Sequence, residues 1–128
     1  MKRVTGIGGI FFKAQDPEKM YEWYERHLGI KREHGAVMFH WRKPDDPAAE
    51  GMTVWSIFKQ DTKYMNPGTA SFMINYCVDD LGAVVDALRT EGVEVTGPDD
   101  SEYGRFAWII DPEGNKIELW EPPKESVN

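Results

Sequence analysis

The sequence predicts a single α+β domain, residues 1–128, made of two copies of a strand–helix–strand–strand–strand unit. Three observations favour it: an alternating apolar strand opens each half, an Asp-capped helical pattern follows it, and further alternating runs follow the helix. The first unit spans residues 4–60 and the second spans residues 69–122. A chain of 128 residues is long enough to bury a core of its own.

The first unit opens with a strand over residues 7–14 and a helix behind it. Asp16 is the expected N-cap and Pro17 suits the first helical position, where no backbone N–H is needed. Gly29 suits the left-handed position that ends a helix. The alternating runs GAVMFHW and GMTVWSIFK then predict further strands.

The second unit repeats this order. Residues 72–78 alternate, Asp80 is the expected cap of the second helix, and Gly92 is expected to end it. The runs GRFAWII and GNKIELWEP predict the closing strands. Matching Asp16 to Asp80 brings the two apolar patterns into register, which indicates an internal duplication.

Charge and cysteine content exclude several classes of partner. The formal net charge of −7 argues against nucleic-acid binding, which needs clustered Lys and Arg, and it is compatible with a cationic ligand. No apolar run approaches the roughly 20 residues that cross a bilayer, so no membrane partner is expected. Cys77 is the single cysteine, which favours a reducing, cytoplasmic location.

The closing stretch YGRFAWIIDPEGNKIELWEP, together with the two capped helices, resembles the vicinal oxygen chelate superfamily. This superfamily includes glyoxalase I, bleomycin resistance proteins and extradiol dioxygenases. The resemblance covers residues 4–122 and implies eight strands in curled mixed sheets around a cleft, with the helices outside. It also implies a small-molecule ligand. A homodimer is common among such proteins, and the sequence leaves the oligomeric state open.

In metal-dependent proteins of this kind, the first and last strands of each unit each point one ligand into the cleft. Aligning the two units places the following residues there: Gly9, Trp55, Met73 and Glu118. Of these, only Glu118 can bind a hard divalent cation, because Gly lacks a side chain, Trp only donates, and Met suits soft ions. The resemblance therefore predicts no metal cofactor here. An atypical site that combines His40 with Glu118 is left open.

The predicted cleft face has the composition of a small-molecule pocket, with aromatic and Met side chains around a few polar groups. Its residues are Phe11, Lys13, Met38, His40, Thr53, Trp55, Met73, Asn75, Arg105, Lys116, Glu118 and Trp120. The expected ligand-binding residues are Phe11, Lys13, His40, Trp55, Met73, Asn75, Arg105 and Trp120, and Glu118 is the candidate general base. Phe106 and Trp108 are expected on the opposite face, towards the core.

The leading function is the binding of a small organic molecule in an aromatic cleft without the usual divalent metal. The alternative is a lyase, isomerase or dioxygenase that uses Glu118 as a ligand or as a base. Two purely structural interpretations also stay open. In the first, Trp55 and Trp120 fill the interface of the sheet and no ligand exists. In the second, His40 is an ordinary hydrogen-bonded or solvent-facing strand histidine.

Overall fold

A single mixed sheet of seven strands carries both halves of the chain. The computed structural model describes residues 3–124. The strands are β1 (Val4–Ala14), β2 (Val37–Lys43), β3 (Asp46–Lys59), β4 (Phe72–Val78), β5 (Thr96–Ser101), β6 (Gly104–Ile110) and β7 (Lys116–Glu121), and the helices are α1 (Pro17–Leu28) and α2 (Leu81–Thr90). The strand order is β2-β3-β1-β4-β7-β6-β5, and the sheet is not closed.

The two halves differ in the number of strands. The second half has the predicted β-α-β-β-β order, whereas the described part of the first half has only two strands after its helix. An isolated β-bridge between Glu33 and Ala36 lies where a third strand would be expected. Within residues 3–124 the sheet therefore has seven strands and not the eight that the resemblance implied, while the α+β class is confirmed.

Both helices begin at the predicted caps. The Asp16 carboxylate accepts a hydrogen bond from the Lys19 N–H at 3.2 Å, and the Asp80 carboxylate accepts one from the Ala83 N–H at 3.0 Å. Gly29 follows α1 with φ of 70°, a left-handed conformation that glycine adopts without steric cost. These local signals lie close together in sequence, so they act regardless of the tertiary fold.

The halves join where β1 and β4 pair in antiparallel fashion. On its other side β1 pairs in parallel with β3, and β4 pairs in parallel with β7. Each opening strand thus lies between the last strand of its own half and the other half. The centre of the sheet is formed by the strands that the resemblance associates with the site.

Both helices cover the same face of the sheet. Phe12 packs beside α1 and pairs with Phe72 on β4. Ile74 points to the same face as Phe72, and it pairs with Ile117, which packs beside α2. The buried core under α1 comprises Ala14, Tyr21, Val37, Trp55 and Ile57. The buried core under α2 comprises Val78, Leu81, Val84, Val85, Ala107 and Leu119. Within the described residues, neither helix is long and apolar enough to cross a membrane.

Candidate functional site

The face of the sheet opposite the helices, called the cleft face below, carries the candidate site. Strand alternation and register place most of the predicted residues there. The side chains on this face are Phe11, Lys13, Met38, His40, Ser56, Phe58, Met73, Asn75, Phe106, Trp108, Lys116, Glu118 and Trp120.

Glu118 lies at the centre of this face and is only 2% exposed. Its Oε1 accepts a hydrogen bond from Asn75 Nδ2 at 2.6 Å, and its Oε2 accepts one from Trp108 Nε1 at 2.9 Å. The Tyr64 hydroxyl donates a third, short hydrogen bond to Oε2. Three protein donors therefore take the place of water around this buried carboxylate, as a buried charge requires.

Tyr64 comes from residues 60–71, the segment that connects β3 to β4. Met65 beside it is fully buried, and Lys116 Nζ donates to the Tyr64 carbonyl oxygen at 2.6 Å. Burial and the Glu118 carboxylate both raise the pKa of Tyr64, so its phenol stays neutral. Burial lowers the pKa of Lys116, and the Glu118 charge opposes that effect.

A row of aromatic rings lines the cleft face. The rings of Trp120 and Phe106 are nearly parallel, with centroids 6.1 Å apart, and those of Phe106 and Trp108 are nearly parallel at 6.4 Å. Tyr64 meets Trp108 edge-on at a centroid distance of 6.5 Å, and its ring is tilted against that of Phe58 at 5.9 Å. The row provides a largely apolar wall, because the indole N–H groups of Trp108 and Trp120 already donate to Glu118 and to the Tyr103 carbonyl oxygen.

Two cavities open at the two ends of this row. The first has a volume of about 860 Å³ and is bordered by His40, Arg42, Met52, Cys77 and Trp120, among others. Nδ1 of His40 lies 3.4 Å from a carboxylate oxygen of Glu50 on the neighbouring strand. Burial raises the pKa of the Cys77 thiol to about 11, so this thiol is a neutral part of the wall.

The second cavity has a volume of about 680 Å³ and lies at the other end of the row. Its walls include Tyr64, Trp108, Lys116 and Glu94. A further depression of about 950 Å³ lies between the start of α1 and the end of β3, around Tyr21 and Lys59, away from the aromatic row.

Trp55 does not face the cleft, and the prediction that it does is wrong. It packs under α1, where its ring meets Phe12, Tyr21 and Tyr24 with centroid separations of 5.3, 5.9 and 4.9 Å. The physical reason is its register, because Trp55 pairs with the core residue Val37 and directly paired residues share a face. Thr53, two residues earlier, is likewise on the helix side.

Arg105 is also misplaced by the prediction. It lies on the α2 side of β6 and forms an ion pair with Asp100 at 2.9 Å. Phe106 and Trp108, expected in the core, instead face the cleft, because they pair with Trp120 and Glu118. The predicted alternation of β6 was right in its period and wrong in its phase by one residue.

Sequence reasoning missed Trp108 and Tyr64 as partners of Glu118. A usable signal existed for Trp108: counting outward from the tight turn at residues 111–115 pairs Ile110 with Lys116, and hence Trp108 with Glu118. No comparable signal existed for Tyr64, because its position depends on how a connecting segment folds back over the sheet.

Asn75 presents one buried polar atom without a partner among the described residues, its Oδ1. This oxygen lies against Gly8, where a Cβ would collide with Asn75 Oδ1, with Trp120 and, at 2.8 Å, with Cys77. Only glycine fits at position 8. The backbone of β1 therefore packs directly on the side of the Asn75–Glu118 pair.

The side chains around Glu118 do not fit a divalent metal ion. The groups that point at its oxygens are all hydrogen-bond donors, which a cation would oppose. The register makes Phe11 and Ser56 the first-half counterparts of Asn75 and Glu118, and neither is a good ligand for such an ion. Across the described residues, no group of three or more His, Cys, Asp or Glu side chains is arranged to hold a metal.

Several solved structures share this fold. A methylmalonyl-CoA epimerase from Mycobacterium tuberculosis is 23% identical with a TM-score of 0.61, covering 96% of this chain and 91% of its own. A Streptomyces coelicolor methylmalonyl-CoA epimerase variant in complex with 2-nitronate-propionyl-CoA is 20% identical with a TM-score of 0.68, covering 93% of this chain and 98% of its own. Likenesses at this level of identity show the fold alone.

Sequence comparison identifies the family. No match was found among the curated proteins that were compared. The family model described as the glyoxalase/bleomycin resistance protein/dioxygenase superfamily matches residues 6–119, which is nearly the whole chain and runs from β1 into β7. The chain therefore belongs to the glyoxalase/bleomycin resistance protein/dioxygenase superfamily.

Proposed function

We propose that this protein binds a small organic molecule in its aromatic cleft and does so without a divalent metal ion. The observation that carries this proposal is the state of Glu118, whose two oxygens accept hydrogen bonds from Asn75, Trp108 and Tyr64. A carboxylate that holds three protein donors is occupied as a hydrogen-bond acceptor, which leaves little capacity for a metal.

The same arrangement disfavours Glu118 as a general base. A base must come within hydrogen-bond reach of the substrate proton, and Glu118 is 2% exposed beneath Tyr64. The lyase, isomerase or dioxygenase alternative therefore needs the Tyr64 contact to open first. Binding needs no such step at the other end of the aromatic row.

The first cavity supplies the binding site in this proposal. Its volume of about 860 Å³ lies within the usual range for small-molecule sites. Trp120 contributes an aromatic side chain to the lining, while His40 and Arg42 contribute polar groups. A ligand with a flat apolar body and one polar or charged end matches this combination.

Ligand titration followed by tryptophan fluorescence tests the proposal. The panel should contain cationic aromatic compounds and also acyl-CoA esters, because one structural neighbour was solved with methylmalonyl-CoA. We expect saturable quenching by at least one class, weakened by Trp120→Phe and by His40→Ala. The control is Trp23→Phe, since Trp23 is exposed on α1. No saturable response to any compound would refute the binding proposal.

Elemental analysis tests the absence of metal separately. Protein purified without a metal-binding tag should contain no stoichiometric zinc, nickel, manganese or iron. A stoichiometric ion that disappears in Glu118→Ala would overturn this part of the proposal, whatever the outcome of the titration.

A further inference from the structure

The ring of Tyr64 lies over Glu118 on the cleft face and lines the second cavity, so it fills the pocket above that carboxylate. We propose that this pocket is a binding site for a neutral aromatic ring carrying one hydroxyl group, and that Tyr64 is an internal competitor for it. The inference rests on the proposed function in one respect, since it takes this cleft to be a site for organic ligands. It adds the chemical class of ligand and a second contact point.

A hydrogen bond at the bottom of the pocket fixes the polar end of the ring. The Tyr64 hydroxyl donates to Glu118 Oε2, while Asn75 and Trp108 fix the orientation of that carboxylate from either side. A charge-assisted hydrogen bond of this kind selects an O–H group at one defined point. A ring without a donor would leave the carboxylate one hydrogen bond short.

Two aromatic side chains and one ammonium group surround the ring of Tyr64. Phe58 lies at a centroid distance of 5.9 Å and Trp108 meets the ring edge-on at 6.5 Å. Lys116 Nζ lies 5.2 Å from the ring centroid, where an ammonium is attracted to an aromatic face. A phenolate would be repelled by Glu118 and a cationic ring by Lys116, so the surroundings favour a neutral phenol.

The ring of Tyr64 is accessible from the second cavity. Tyr64 is 41% exposed and forms part of the wall of the second cavity, together with Trp108 and Lys116. Because Tyr64 both lines this cavity of about 680 Å³ and bonds to Glu118, an outward turn of its side chain would open the carboxylate to the cavity. The buried side chain of Met65 keeps the connecting segment anchored while its neighbour moves.

The test is a titration with p-cresol, compared with toluene, on the wild-type protein and on Tyr64→Phe. The phenylalanine variant keeps the ring packing but loses the competing O–H, so we expect it to bind p-cresol about tenfold more tightly than the wild type does. Toluene should bind weakly to both. If Tyr64 has a purely structural role, removing its hydroxyl group should not increase the affinity of the protein for p-cresol.

Two further variants serve as controls. Glu118→Gln should weaken p-cresol binding, whereas Tyr103→Phe, which alters an exposed loop tyrosine, should leave it unchanged. Urea unfolding confirms that each variant is folded. The inference is overturned if Tyr64→Phe binds p-cresol no better than the wild type does, or if toluene binds as tightly as p-cresol.

These results are separable from those of the proposed function. If Trp120→Phe and His40→Ala weaken the binding of a panel compound, while Tyr64→Phe and Glu118→Gln leave the affinity for p-cresol unchanged, only the phenol site is overturned. A protein that binds neither p-cresol nor any compound of the panel would overturn both.

Discussion

Asn75 on β4 donates to Glu118 on β7 over 2.6 Å, between two residues that the parallel register places side by side. The pair is buried, and Gly8 on β1 packs against it from the next strand. Glu118 is thus bonded to its neighbouring strands and to the segment that connects the halves, which makes it a structural centre as well as a site residue.

Replacing Glu118 is expected to destabilise the fold. Glu118→Ala leaves the donors of Tyr64, Asn75 and Trp108 without their acceptor, and we expect the free energy of unfolding to fall by about 3 kcal/mol. Urea unfolding at neutral pH measures this. Glu113→Ala, in the exposed turn before β7, is the control and should change stability by less than about 0.5 kcal/mol. A loss at position 118 no larger than that of the control would contradict the network.

Trp55 is expected to matter for stability and not for ligand binding. Trp55→Ala removes a ring that contacts Phe12, Tyr21 and Tyr24, so unfolding should become easier by about 3–5 kcal/mol. Trp55→Phe preserves part of this packing and should bind ligands as the wild type does. If Trp55→Phe instead abolishes ligand-induced quenching while stability is unchanged, the assignment of Trp55 to the α1 side is wrong.

Two glycines should respond in opposite ways to the same substitution. In Gly8→Ala the new methyl group meets Asn75, Trp120 and Cys77, and the resulting strain should cost about 1–3 kcal/mol. Gly82→Ala, on α2, meets only ordinary contacts, the nearest at 3.6 Å, and should gain up to about 0.5 kcal/mol from helix propensity. Thermal and urea unfolding of the two variants check this. Equal tolerance at both positions would argue against the close approach of β1 to Asn75.

Cys77 should be unreactive in the folded protein at neutral pH. Its pKa of about 11 in the fold exceeds the ordinary value for a thiol, so the folded state favours the protonated form. This contribution to stability is fully present below the ordinary thiol pKa and is lost as the pH rises through about 11. Labelling with a thiol reagent at pH 8 should be slow until urea is added. Rapid labelling of the folded chain, absent in Cys77→Ser, would contradict the burial.

The elements of the fold were predictable where their signals are local. Asp16 and Asp80 cap their helices through contacts three residues away, and such contacts can be read from spacing alone. The faces of β3 and β6 were harder, because alternation gives the period of a strand and not its phase. Pairing β6 with β7 through the tight turn between them would have moved Trp108 to the cleft. The same counting fails for Trp55, because a register shift between Arg42 and Lys43 changes the phase of β3 relative to its turn.

The site was predictable only in part for the same reason. Glu118 and Asn75 lie on strands whose phase was assigned correctly, and the structure brings them into contact. Tyr64 lies in a segment without periodicity, and its contact with Glu118 spans 54 positions in sequence. Such a contact results from the closure of the whole domain, which no short stretch of sequence encodes.

The junction of β1 and β4 has a consequence for the way a ligand would act on the whole chain. His40 belongs to the first half and Trp120 to the second, and both border the same cavity. A molecule that touches both therefore bridges the two halves across their shared pair of strands. Its binding free energy adds to the cohesion of the halves, so a ligand at one hundred times its Kd should raise the free energy of unfolding by about 2.7 kcal/mol.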